Sequence, residues 1–280
     1  MNKTSAQNRN KYMCKLTILT GHDPKTMPAL IHRIWSKMAK TEHDGFGAAW
    51  LSPKGKIMTI KSSSHQSVKN LPEYYEGFAQ GHFTPSNGGA LLIHGRTATC
   101  NVDIVNTHPI KVGQAIVIHN GVVDSNKYKN LHSTCDSELI LQAYQAAGIQ
   151  EVAAEITGYY AFGILHPKGK GLLTVAKDDR APLFGGITKF GEVFATTQDL
   201  VETTGATVQG KIRDNVSITF QDGKCLGTEK FTPKRKIVTA YSMAQMERSM
   251  GQQSELMAES AYGKMFKQST NWRQNETRLD

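Results

Sequence analysis

Long apolar runs are missing from this 280-residue chain. None approaches the roughly 18 residues that a membrane span requires. The first twelve residues are polar and lack the hydrophobic stretch of a secretory signal. Together these absences predict a soluble, cytoplasmic protein with no membrane partner. Cysteine is scarce as well. Cys14, Cys100, Cys135 and Cys225 form no C-x-x-C pair and no zinc spacing, and a disulfide framework is not expected at this size in this compartment. His94, His108 and His119 make no H-x-x-x-H pair, and no carboxylate is spaced to complete a facial set, so no metal is expected. Gly45-Phe46-Gly47 has Trp50 where the third glycine of a dinucleotide fingerprint would stand, which removes that class.

Acidic residues are absent from positions 1–13, which carry three basic ones, and the last fifty residues hold eight Lys or Arg against five Asp or Glu. Two-thirds of the net charge of +9 therefore sits in the ends, while residues 14–230 carry 22 basic and 19 acidic side chains. The core has the charge of an ordinary solvated surface. Direct nucleic-acid binding is not expected of it and is left to the tail.

What is present is a patterned middle. Cys14–Leu19 alternates and reads as a first strand. Ala29–Lys40 places Leu30, Ile31, Ile34, Trp35 and Met38 at the spacing of an amphipathic helix. Ala48–Leu51 and Lys56–Ile60 read as strands turned by Pro53-Lys54-Gly55, and 65–87 as a short helix and a loop. Two apolar runs, Ala90–Ile93 and Ala115–Ile118, read as buried strands that deliver polar groups at their carboxyl ends. Asp136–Ala147 is a helix with acid in its first turn and Gly148 at its end, and a second helix is expected over Glu151–Thr157. Further strands are expected at Tyr159–Leu165, Leu172–Ala176, Glu192–Thr196, Ser217–Gln221 and Lys224–Leu226. The order makes no clean βαβ units and suits two sheets between helix layers.

The polar groups fall into four segments: His94-Gly95-Arg96-Thr97-Ala98-Thr99, Asn106-Thr107-His108-Pro109, His119-Asn120-Gly121 and Asp136-Ser137-Glu138. Preceded by Met13-Cys14 and a strand, and followed by Gly158-Tyr159-Tyr160, Asp179-Arg180-Ala181-Pro182-Leu183 and Ala195-Thr196-Thr197-Gln198, they resemble class II glutamine amidotransferases. That family is the glutaminase branch of the N-terminal nucleophile hydrolases. The resemblance spans about residues 14–229 and implies an α+β fold, a four-layer αββα sandwich. It divides the chain into an upstream extension or propeptide (1–13), the amidotransferase domain (14–230) and a basic, partly helical or disordered tail (231–280).

The resemblance also implies roles. Cys14 is the nucleophile once its own α-amine is free, because that amine, near pKa 8, can take the thiol proton. A Cys14 still joined to Met13 has an amide nitrogen and no base. The residues ahead of Cys14 are then a propeptide or belong to a start misplaced upstream of Met13. Asn120 and Gly121 offer donors to the oxyanion, although Asn-Gly alone reads as a hairpin turn. Arg96 grips the α-carboxylate of L-glutamine and Asp136 accepts from its α-ammonium. Thr97, Thr99 and His108 line the same pocket. No cofactor is expected.

As the resemblance implies, the expected activity is glutamine hydrolysis through a Cys14 thioester. The ammonia passes to a separate acceptor, a synthetase or a nucleic-acid-modifying enzyme, with the Met-containing tail as a candidate docking helix. Two other readings stay open: hydrolysis of another γ-glutamyl or small amide on the same fold, and an inactive interaction protein.

Overall fold

The computed structural model describes residues 14–23, 25–52, 55–63, 89–98, 101–129, 131–167 and 172–235, all within the first of two units of the chain, residues 1–235. Residues 1–13, the helix and loop expected at 65–87, and the tail beyond 235 lie outside them. In the described residues the elements run β1 (Lys15–Leu19), α1 (Met27–Met38), β2 (Phe46–Leu51), β3 (Ile57–Ser62), β4 (Leu91–Gly95), β5 (Ile110–Val112), β6 (Ala115–Ser125), α2 (Ser137–Glu155), β7 (Ile156–His166), β8 (Leu172–Lys177), β9 (Phe184–Thr188), β10 (Gly191–Ala195), α3 (Gln198–Thr203), β11 (Thr207–Lys211), β12 (Val216–Gln221) and β13 (Lys224–Lys230).

Two antiparallel sheets hold the strands, seven in the order β11-β9-β10-β1-β4-β2-β3 and six in the order β13-β12-β8-β7-β6-β5. β1, β2 and β4 are nearly all buried because they are central and covered on both faces. α1 buries Met27, Leu30, Ile31, Ile34, Trp35 and Met38, one stripe at helical spacing, and Pro28 stands in its first turn, where a missing N–H costs nothing. That stripe packs on Phe46, Ala48, Trp50, Leu91 and Ile93 of the seven-stranded sheet, with Leu200 and Val201 of α3 beside it. α2 packs Leu139, Ile140, Ala143 and Val152 on Val117, Tyr160, Phe162 and Ile164 of the six-stranded sheet. A third cluster joins residues of both sheets: Leu16, Ile18, Leu92 and Phe194 from one, Ile116, Ile118, Ala161 and Val175 from the other.

Several boundaries differ from those expected. The helix pair expected at 136–157 forms two segments of Ser137–Glu155, broken in conformation at Ala147 and Gly148 (φ +75°). A left-handed residue is cheap only for glycine, so Gly148 ends one helical segment and starts the next. The second segment stops at Glu155, and Ile156 already pairs with Ser125. β9 and β11 went unread because Gly185, Gly186 and Gly210 interrupt their periodicity, and α3 because six residues are too few to show a helical repeat.

Candidate functional site

β6 does not stop at Ile118. It runs through Asn120-Gly121 to Ser125, with Asn120 opposite Ala161 and Gly121 opposite Tyr160 of β7. The Asn-Gly pair is therefore in mid-strand and is no hairpin turn. Gly121 adopts φ +146°, and a Cβ there would lie 2.0 Å from the Tyr159 carbonyl oxygen, so no larger residue fits. The Asn120 side chain is completely buried, and neither its amide nitrogen nor its oxygen has a hydrogen-bond partner in the described residues. An amide with that much unused capacity costs stability unless something else uses it.

Cys14 lies half-buried at the start of β1. β1 pairs with β4 with Lys15 opposite Gly95, which sets the sulfur beside Thr97. The Thr97 N–H donates to Sγ (3.4 Å) and the Cys14 thiol donates to the Thr97 carbonyl (3.3 Å). Burial pushes the thiol from its ordinary 9.0 up to about 12. The Thr97 hydrogen bond and the Arg96 charge work against that rise, while the carboxylates of Glu42 and Asp136 add to it. At pH 7 such a thiol is ionised in about one molecule in 10⁵, so it needs a base to react.

Arg96 follows β4 and is 2% exposed. Its Nη2 donates to the Asn101 carbonyl (2.8 Å). Its backbone is held on both sides, N–H to the Gly45 carbonyl (2.8 Å) and carbonyl from Asp44 N–H (3.1 Å). Asp44 also accepts from Ala98 N–H (2.7 Å). Asp136 caps α2 in position, though its carboxylate accepts from Val123 N–H of β6 (2.8 Å) instead of from its own helix. Its charge reaches both Cys14 and His119.

Thr97 turns its hydroxyl to Glu42, a completely buried carboxylate that no motif in the sequence singles out. His108 also faces inward. Its Nε2 meets Ser137 Oγ (2.7 Å), His119 Nδ1 meets the same oxygen (3.0 Å), and the His94 and His108 rings lie 4.1 Å apart. His94 Nε2 donates to the His119 carbonyl (3.0 Å), because a carbonyl can only accept. The Ser137 hydroxyl has one proton to give, so at least one of the two ring nitrogens donates to its oxygen. Burial, first of all, depresses all three histidines, His94 from 6.5 to about 3, with Arg96 and the neighbouring imidazoles adding to the fall at His94 and His108. The cluster is thus neutral. Among the described residues no group of three or more His, Cys, Asp or Glu is arranged to hold a metal ion.

Gly47 completes the frame. A Cβ on it would lie 1.9 Å from the His108 carbonyl oxygen, so the Asp44-Gly45-Phe46-Gly47 segment lets the His108-Pro109 chain press against β2. The His94–His119 and Ser137 bonds then tie β4, β6 and the start of α2 together. Cys14, Arg96 and Thr97 come from one sheet, and Asn120, Gly121 and Asp136 from the other sheet and its helix. Thr99 lies outside the described residues. No helix among those described is long and apolar enough to cross a membrane.

Residues 111–202, about a third of the chain, match a family described as glutamine amidotransferase domain. No curated protein matches significantly. Among solved structures, the glutamine phosphoribosylpyrophosphate amidotransferase from B. subtilis, complexed with ADP and GMP, is similar with a TM-score of 0.60 and 18% identity over 79% of this chain. A structure titled as the allosteric regulatory enzyme of purine biosynthesis is similar at 0.61, with the same identity and coverage. In both cases this chain spans 50% of the solved chain's length. The chain shares the fold of these two solved structures, and its residues 111–202 match the glutamine amidotransferase domain family.

Proposed function

We propose that residues 14–230 form a glutaminase of the N-terminal nucleophile type, and that its three core clusters fill the spaces between the layers of an αββα sandwich. Two observations carry the reading together: a protonated, half-buried thiol at Cys14 and a buried amide at Asn120 that has no partner among the described residues. One group needs a base that the fold does not supply, and the other has donors in reserve. Cleavage ahead of Cys14 supplies the base as an α-amine on the same residue.

In the reaction we infer, the Cys14 amine takes the thiol proton. The sulfur bonds to the side-chain amide carbon of glutamine while Asn120 and the Gly121 N–H donate to the oxygen that becomes negative. The carbon–nitrogen bond breaks as the ammonium returns its proton to the leaving nitrogen, which departs as ammonia. Water hydrolyses the γ-glutamyl thioester and restores the thiol. Arg96 pairs with the α-carboxylate and Asp136 with the α-ammonium, which selects a free amino acid over a γ-glutamyl peptide blocked at that end. Thr97, Thr99 and His108 shape and support the pocket. The ammonia goes to an acceptor enzyme, with the tail beyond 230 as the segment that recruits it.

A glutamine-analogue electrophile such as diazo-oxo-norleucine tests the reading. Stoichiometric labelling that maps to Cys14, prevented by excess L-glutamine, is the expected result. Labelling elsewhere, or undiminished glutamine turnover in Cys14→Ala, overturns it.

A further inference from the structure

Glu42 is completely buried, and both of its oxygens are engaged. Oε1 accepts from Lys15 Nζ (2.6 Å) and from Thr41 Oγ1 (2.8 Å), and Oε2 accepts from Thr97 Oγ1. Lys15 is bonded covalently to Cys14, and Thr97 holds the Cys14 sulfur through its backbone N–H and carbonyl. The contacts close a ring: Cys14 to Lys15, Lys15 to Glu42, Glu42 to Thr97, and Thr97 back to the sulfur. We infer that Glu42 is a positioning residue for the Cys14 nucleophile, holding the residue that follows it and the residue that binds its sulfur at a fixed separation.

The electrostatics favour positioning over activation. A carboxylate near a thiol opposes its ionisation, and Glu42 does so here. The Lys15 ammonium offsets that charge. The ion pair thus lets a geometrically useful carboxylate stand beside the sulfur at reduced electrostatic cost. It also explains a lysine directly after the nucleophile at the head of a strand that is otherwise buried. Freed of Met13, the amino-terminal residue would have only its sulfur contacts and this ring to fix its rotamer. A loose nucleophile loses rate steeply with misplacement.

The inference rests on Cys14 being the nucleophile, and its test separates the two claims. In the full chain, with Cys14 verified as the first residue, kcat and KM for glutamine and the pH midpoint of Cys14 alkylation by iodoacetamide are measured. Arg96, Asp136, Tyr159, Lys15 and Glu42 are the charged or titratable groups that face the thiol or its ring of contacts. Glu42→Gln keeps the shape and removes the charge. It should lower kcat about tenfold or more with KM changed less than about threefold, and move the alkylation midpoint to lower pH. Lys15→Met leaves the carboxylate uncompensated and should move the midpoint to higher pH. A part that is only structural would lower Tm and leave kcat in place, the midpoint then moving by charge alone, and that result overturns the inference. If Glu42→Gln fails to fold, Lys15→Met decides alone, an unmoved midpoint with unchanged kcat counting against it. Turnover that survives Cys14→Ala removes the underlying reading instead.

Discussion

Glu42 and Asn120 are both polar, both completely buried and both beside the candidate site, yet the fold treats them in opposite ways. The seven-stranded sheet surrounds its carboxylate with three donors from Lys15, Thr41 and Thr97. The six-stranded sheet leaves its amide without any. On the first side the polar groups are spent on each other and hold a sulfur in place. On the second the amide is left unused among the described residues, in a strand paired along its length with β7. Buried polar groups that satisfy one another build a frame, and a buried amide without a partner among the described residues has donors available to a ligand. The division also follows the backbone: the first sheet offers strand ends and loops, the second the middle of its longest pairing.

Gly121→Ala should break the contrast most severely. Its Cβ meets the Tyr159 carbonyl and its φ is strained for any L side chain, so loss of detectable glutaminase activity together with a lowered Tm is expected. Asn120→Ala should cost about 10²–10³ in kcat, the loss typical of an oxyanion donor, with Tm little changed because the amide bonds to nothing among the described residues. A large fall in Tm would assign Asn120 to the frame. Ser137→Ala is its mirror image. It strips the shared partner from the buried His108 and His119 rings and should cost about 1–3 kcal/mol in denaturant unfolding, with a smaller effect on kcat than Asn120→Ala.

The histidine nest also predicts a pH response. Folded His94, His108 and His119 titrate below 6.5, so the unfolded chain binds more protons on acidification. Stability is then full above about pH 6.5 and falls as the pH drops toward the folded values, which a Tm series across that range would show. A Tm that rises on acidification would contradict the burial of these rings as neutral groups.

Much of this was legible in the residues. α1 announced itself by spacing, and the four polar segments by their order after Met13-Cys14. The strand was expected to end at Ile118 and instead runs on through Asn120-Gly121 to Ser125, because a pair that favours turns is also tolerated inside a strand when the partner strand comes close enough to exclude a Cβ. The break at Gly148 was visible, since only glycine takes that φ cheaply. Glu42 was not legible. A single acid ahead of Asp44-Gly45-Phe46-Gly47 looks like any surface charge until the pairing of β1 with β4 brings Lys15 and Thr97 to it. The histidines carried a signal, His94 and His119 standing just ahead of Arg96 and Asn120 and His108 being read as a pocket residue itself, but spacing along the chain cannot show that one serine joins two of them.

The reading of this site requires that the working polypeptide begin at position 14. Amino-terminal sequencing and intact mass of material purified by its glutamine turnover test this directly. A mature chain starting with Cys14 is the predicted result. Fully active protein that still carries Met13 would contradict it.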